Sequence, residues 1–238
     1  MRRPPILNTL GALGITGVYS AGAILDGVLH RDGHRVRRWK EPWCRALARF
    51  WDMPVHAFGL ERLDPSRTYL YMANHQSHTD IVALMVTLPG PPGFLSKKEL
   101  RSAPLLGYAM EMAGEVFIDR SNREQAVLAI EEAARQVRED RPVIVFPEGT
   151  RGDGRFIRPF KKGGFHLVKQ AGVPLVPVGI RGTEHVLPRS SSWVQGGLPV
   201  EVHVGVPLPP EQVRALPMET LVERVRSEIA RLADKPLA

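Results

Sequence analysis

The sequence predicts an α/β fold: a layered domain with a mostly parallel sheet flanked by helices, preceded by an N-terminal membrane-associated helical segment. Three observations lead there. From residue 68 onward, short β-prone runs alternate with stretches of helical periodicity. Chemistry-bearing residues follow four of those runs: His75, then Asp119 and Arg120, then Glu148, Gly149, Thr150 and Arg151, then Arg181, Gly182 and Thr183. Sites in parallel sheets gather at the carboxyl ends of strands. Before all of this, residues 4–29 contain no Lys or Arg and a single charge, Asp26. The expected division is a helical segment at 1–58 and the α/β domain at 59–238.

At about 1.5 Å per residue, a helix over 4–29 would reach across a hydrocarbon layer of roughly 30 Å. Gly11, Gly14, Gly17, Gly22 and Gly27 lower its helix propensity, so it either spans or lies bent in one leaflet. A secretory signal is the rival reading, since Met1, Arg2 and Arg3 make a basic start and Ala21, Gly22 and Ala23 resemble a cleavage site. The next stretch, 30–53, holds seven of the cations and Trp39, Trp43 and Trp51, three of the four tryptophans. Trp39, Trp43, Leu47 and Phe50 fall on one helical face. Cations toward headgroups and indoles toward the acyl boundary describe a helix in a membrane interface. The alternative is a core-packing helix with a solvated basic face.

Residues 68–73 read as a buried strand and 81–87 as a helix, followed by a Pro/Gly turn at 89–93. Strands are expected at 94–96, 115–118, 142–146, 173–180 and 200–206. Helices are expected at 104–113, 122–139, 164–170 and 218–233, the last amphipathic through Leu221, Val225, Ile229 and Leu232. With 238 residues, 43% of them hydrophobic, the chain can bury one large core. Its net charge of +7 attracts anions, but no nucleic-acid motif is present. Cys44, the single cysteine, excludes an intramolecular disulfide.

His75 and Asp80 sit at a strand-to-helix junction, five residues apart. If the loop folds back, the carboxylate reaches one imidazole nitrogen and leaves the other free to take a proton, the oriented-base arrangement without a protein nucleophile. Two other readings stand: Asp80 as an ordinary helix cap, and His75, His78 and Asp80 as a metal site, for which no further ligand cluster exists in the sequence. Phe146, Pro147, Glu148, Gly149, Thr150 and Arg151 place a flexible glycine, a hydroxyl and a guanidinium after a buried strand, the groups that hold a phosphate monoester. Arg120 and the pair Lys161 and Lys162 offer more cations.

Taken together, Asn74, His75, Ser77 and Asp80, the run 114–120 (Gly-x-x-Phe-Ile-Asp-Arg), the run 146–151 (Phe-Pro-Glu-Gly-Thr-Arg) and the run 176–180 (Val-Pro-Val-Gly-Ile) resemble the four ordered blocks of the PlsC-like glycerolipid acyltransferases. The resemblance covers roughly residues 60 to 210. It implies acyl transfer from acyl-CoA or acyl carrier protein to the free hydroxyl of 1-acylglycerol-3-phosphate, giving phosphatidic acid. His75 would be the general base, Asp80 its orienting partner, and Arg120, Glu148, Gly149, Thr150 and Arg151 the acceptor-phosphate site. It implies no metal and no cofactor beyond the acyl donor, and it makes the bilayer, the lysophospholipid and the donor the partners, at the cytoplasmic face of the cell membrane. Another acceptor (glycerol 3-phosphate, a lyso-amino-acid lipid or a glycolipid) and a non-catalytic lipid-binding protein are the alternatives. His78 stands where the family often has an aromatic or aliphatic residue, and Gly152 where a Ser is common.

Overall fold

A computed structural model describes residues 3–119 and 121–238. The first apolar stretch forms one helix, α1 (Pro5–His30), with Pro5 at its first turn, where a missing N–H costs nothing. The basic stretch that follows is two helices and not one. In α2 (Gly33–Arg38), Asp32 caps the start by accepting the His34 N–H at 2.8 Å; the chain then turns at Trp39 into α3 (Lys40–Phe50). Pro42 explains the break, because it has no N–H for the Arg38 carbonyl and its ring crowds that group.

The tryptophans of 30–53 are bound to the first helix. Trp39 Nε1 donates to Asp26 Oδ2 at 3.0 Å, Trp43 Nε1 to Thr16 Oγ1 at 3.1 Å and Trp51 Nε1 to the Asn8 carbonyl at 3.2 Å. All three indole N–H groups therefore tie this segment to α1, with Trp51 buried and Trp39 and Trp43 partly exposed. Of the five glycines that weaken α1, Gly11, Gly22 and Gly27 are notches for this docking, while Gly14 and Gly17 face open space: a methyl at Gly11 would lie 2.1 Å from the Phe50 ring, one at Gly22 2.7 Å from the Trp39 ring and one at Gly27 2.5 Å from Val36. As a result α1 is inside out. Asn8 and Ser20 are buried, while Leu13, Val18 and Leu29 are 66%, 71% and 67% exposed.

The α/β part runs β1 (Val55–Phe58), β2 (Leu70–Ala73), α4 (Thr79–Thr87), β3 (Gly93–Lys97), α5 (Leu106–Met112), β4 (Val116–Ile118), α6 (Arg123–Arg138), β5 (Val143–Val145), α7 (Gly163–Ala171), β6 (Leu175–Arg181), α8 (Thr183–Val186), β7 (Val200–Val204), α9 (Pro210–Ala215) and α10 (Met218–Ala233). The seven strands form one sheet in the order β1-β7-β6-β2-β5-β3-β4, parallel except where β6 meets β7. Two apolar layers, one on each face, bury it. One carries Tyr71, Leu84 and Val178, the other Leu70, Phe165, Val225 and Ile229. With apolar side chains on both faces, β2 and β5 read as continuous hydrophobic runs, which is why they were legible.

Three elements were not expected: β1, α8 and α9. β1 pairs with β7 through Val55↔Val200 and Phe58↔His203, so the sheet already includes residues 55–58, ahead of the expected boundary. It is a short edge strand whose exposed residues, His56 and Phe58, give no buried run to detect. Within the expected helix 104–113, α5 begins only at Leu106, after a 3₁₀ turn over Lys98–Ser102.

Candidate active site

β2 and β5 are neighbours at the centre of the sheet, paired through Leu70↔Val143 and Met72↔Val145, so the loops leaving their carboxyl ends must meet. The first is anchored by Asn74, fully buried, whose amide accepts the Ile180 N–H at 2.7 Å and donates to the Ile180 carbonyl at 2.9 Å. With β2 thus clipped to β6, the chain folds back. His75 Nδ1 lies 2.8 Å from Asp80 Oδ2, and the same oxygen accepts the N–H groups of Gln76 at 2.8 Å and Ser77 at 2.9 Å. A carboxylate only accepts, so Nδ1 carries the hydrogen and Nε2 keeps its lone pair. Asp80 is fully buried, and the His75 side chain is 15% exposed. The Phe146 ring stacks on the imidazole at 4.0 Å between centroids and 15° between planes, fixing its orientation. Asp80 is therefore not the helix cap that the sequence left open: His78 holds the cap position of α4 with no side-chain cap bond, while Asp80, inside the first turn, gathers the loop amides and orients His75.

Glu148 is drawn into the same loop. Its Oε1 accepts the His75 N–H at 2.7 Å and its Oε2 the Arg158 N–H at 3.2 Å, with the whole residue 2% exposed. Burial outweighs those two donors and pushes its carboxyl up to about 7. Both oxygens are occupied inside the protein, so Glu148 positions His75 rather than reaching into the cleft. Gly152 closes the arrangement from the other side. Its N–H donates to the His75 carbonyl at 2.7 Å, and a methyl there would stand 2.4 Å from Gln76 Oε1. Any side chain at 152, the family's common Ser included, would displace Gln76.

The cationic side is built differently. Gly149 takes φ 72°, the left-handed region, and a methyl there would meet the Lys161 stem at 2.9 Å. Thr150 is exposed. The Arg151 side chain has no hydrogen bond or ion pair with any described residue, while Arg189 Nη1 donates to the Arg151 carbonyl at 2.7 Å. Partial burial, then the Arg189 charge, lower the Arg151 guanidinium from its ordinary value, and Asp80 opposes the shift. Two guanidiniums held close with no carboxylate between them form a place for an anion. Sequence reasoning missed Arg189, which lies in the loop after α8 and belongs to no recognisable spacing.

Arg120 lies outside the described residues. Asp119 is engaged by Lys98, its Oδ2 accepting from Lys98 Nζ at 2.5 Å. Arg181 turns toward α10, donating to the Leu232 carbonyl at 2.8 Å. His78 begins α4 at the mouth of a cavity; packing around its ring, then the nearby Arg151, push it down to about 4, though part of the residue stays exposed. Among the described residues no three His, Cys, Asp or Glu side chains are grouped as a metal would require. Cys44, on the inner face of α3, is fully buried, and burial pushes its thiol up to about 12, which leaves no thiolate for chemistry.

The cavity at His78 runs between α1, α3, α4 and α5 with a volume of about 420 Å³. Its walls are mostly apolar, among them Leu47, Val82, Met85, Phe94 and Leu106, and Thr79, one residue before Asp80, lies at its edge. Its wall reaches His78 and Thr79, in the segment between His75 and Asp80.

A family model described as Acyltransferase matches residues 54–181. The chain is 35% identical over 173 residues to the 1-acyl-sn-glycerol-3-phosphate acyltransferase alpha of Ovis aries, covering 72% of this chain and 60% of that one. It is 32% identical over 180 residues to the 1-acyl-sn-glycerol-3-phosphate acyltransferase of Saccharomyces cerevisiae, covering 74% and 59%. The crystal structure of the 1-acyl-sn-glycerophosphate acyltransferase PlsC from Thermotoga maritima superposes with a TM-score of 0.81 at 26% identity, over 96% of this chain and 94% of that one. The chain spans about 60% of the length of the curated relatives it matches.

Proposed function

This chain belongs to the acyltransferase family, and we propose that it moves a fatty acyl group from a thioester, acyl-CoA or acyl carrier protein, to the free hydroxyl of 1-acylglycerol-3-phosphate. The product is phosphatidic acid. One observation carries the reading: an imidazole whose Nδ1 is fixed on a buried carboxylate at 2.8 Å, beside an unpaired Arg151 and an apolar cavity.

His75 Nε2 takes the proton of the acceptor hydroxyl as its oxygen attacks the thioester carbonyl. Asp80 holds the imidazolium that forms. When the tetrahedral intermediate collapses, the carbon–sulfur bond breaks and His75 returns the proton to the departing thiolate, so the enzyme ends as it began. Arg151, Thr150 and Arg189 surround the acceptor's phosphate, with Gly149 shaping the turn and Lys161 beside it. Glu148, in this reading, acts through His75. The donor's acyl chain enters the cavity beneath α1.

The outer face of α1 rests in the bilayer, because a water-facing helix does not bury Asn8 and expose leucines. Its length and composition suffice for crossing a membrane, but the bonds from Asn8 to the Val194 carbonyl and from Trp51 to Asn8 hold it along the protein, which favours a place in one leaflet. Basic residues following the helix favour the cytoplasmic face.

The test is thiol release from acyl-CoA by the detergent-solubilised full chain, with 1-acylglycerol-3-phosphate, a phosphate-free lysolipid or no acceptor. Release that requires the phosphorylated acceptor and yields phosphatidic acid is the expected outcome. Equal release with the phosphate-free lysolipid would overturn the acceptor. Silence with every acceptor and both donors would leave a lipid-binding protein.

A further inference from the structure

Residues 152–158, which carry Gly152 and the N–H donors that meet the catalytic loop, have almost no regular structure of their own. The bonds to His75, Gln76 and Glu148 hold them on one side: Gly154 N–H donates to Gln76 Oε1 at 2.9 Å, and Arg158 N–H to Glu148 Oε2. The other side is held by residues far away in sequence, after α10. Ile157 N–H donates to the Pro236 carbonyl at 2.9 Å, and Ala238 N–H to the Ile157 carbonyl at 3.0 Å, a short parallel bridge. Arg226 on α10 donates to the carbonyls of Ile157, Arg158 and Ala238.

The centre of this strap is a buried ion pair. Lys235 Nζ donates to Glu184 Oε1 at 2.6 Å and to the Gly154 carbonyl at 2.5 Å, with the two side chains 10% and 12% exposed. Glu184 Oε2 has no partner. Gly154 sits at φ 85°, and a methyl there would lie 2.8 Å from Glu184 Cγ, so the loop, α8 and the strap are fitted closely at one point. A half-satisfied buried pair is a poor device for stability alone, since apolar residues of the same volume serve at least as well. What it does here is fix the Gly154 carbonyl, and through Gly154 N–H the Gln76 side chain that packs against Gly152.

We propose that Lys235 is a positioning residue for the acceptor site, locking the 152–158 loop against Glu184 so that Arg151 and the His75 loop keep their relative placement. The role rests on the reading of Arg151 as the acceptor-phosphate contact. The chain of contacts runs from Lys235 to Gly154, to Gln76, and to the two ends of the catalytic loop.

The experiment is Lys235→Met in the full chain, read in two ways. Hydrogen exchange without any substrate should show the amides of Gly152, Gly154 and Arg158 exchanging about tenfold faster, with α4 and β6 unchanged. Kinetics should show the acceptor KM raised about tenfold, the donor KM and kcat within about twofold. Adding Glu184→Gln, which removes the stranded carboxylate, should recover folding stability without recovering the acceptor KM. Arg226→Lys, a change at the outer edge of the strap, should give a smaller effect of the same kind. Unchanged exchange at 152–158 overturns the proposal whatever the substrate is. If exchange rises but the acceptor KM stays put, the strap is structural only and the positioning role is lost. If the native chain transfers no acyl group, the exchange arm still decides the strap, and the functional reading fails separately.

Discussion

The two halves of the site follow opposite rules. Around His75 the groups that hold the ring are matched: one oxygen of Asp80 takes three donors while its other, buried oxygen has no partner among the described residues, Glu148 ties the His75 N–H, and Phe146 covers one face of the ring. Around Arg151 the matching is left open, with a guanidinium unpaired among the described residues, an exposed Thr150 and Arg189 close by. In the proposed reaction, the difference separates a group that must be in place beforehand from groups that wait for a ligand. Preorganised groups lower the barrier, while waiting cations supply binding. Substitutions on the two sides should therefore divide between kcat and KM.

The sharpest break is His75→Ala, which should lower kcat by roughly 10³-fold with the acceptor KM within about threefold, since a positioned base acts in the transition state. Asp80→Asn should fall in the same direction by about 10²- to 10⁴-fold, because the imidazolium loses its charge partner. Single-turnover acyl transfer measures both. A large KM effect from either would dissolve the division.

Arg151→Ala tests the other half. Its expected cost is about 2 kcal/mol in acceptor binding, a KM rise of roughly 30-fold with kcat little changed, as for the loss of a charge-assisted bond to phosphate. With a phosphate-free lysolipid the same variant should match the native chain. Arg189→Ala should act likewise but more weakly, because its Nη1 already donates to the Arg151 carbonyl. If Arg151→Ala lowers kcat alone, the guanidinium belongs with the oriented groups.

The matched half was the more legible in the sequence. A buried carboxylate and an imidazole in a single tight turn are a local matter, so the spacing of His75 and Asp80 was enough. Glu148 was visible as a residue but not as a role: its buried carboxylate meets His75 only because β2 and β5 pair, which no local pattern states. Arg189 was invisible for the same reason, reaching Arg151 across 38 residues. At the N-terminus the tryptophan face was real, and its indole N–H groups bond to α1, a partner the periodicity could not name, because it shows that a face is covered and not what covers it. Pro42 did announce the break between α2 and α3, and the spacing of the tryptophans across it masked the signal.

The last effect is on stability and not on turnover, and it concerns Glu148, which stands on the matched side but carries an unusual carboxyl. Folded, it titrates at about 7, against an ordinary value of 4.5. Between those values the folded protein holds a proton that the unfolded chain has released, so this group's contribution to stability is complete below pH 4.5 and is lost as the pH rises through 7. The whole span is on the order of 3 kcal/mol. Glu148→Gln stays neutral throughout, keeps an acceptor for the His75 N–H, and turns an amide NH₂ toward the Arg158 N–H at a cost of about 1 kcal/mol. Thermal unfolding followed from pH 5 to pH 8 should therefore find the native chain losing several degrees more than the variant, at about 2–4 °C per kcal/mol. A difference between the two that does not change with pH would mean a carboxylate charged in both states across that range. Glu148 would then share with Asp80 the role of a fixed negative charge beneath His75, and the matched half of the site would hold two such charges instead of one.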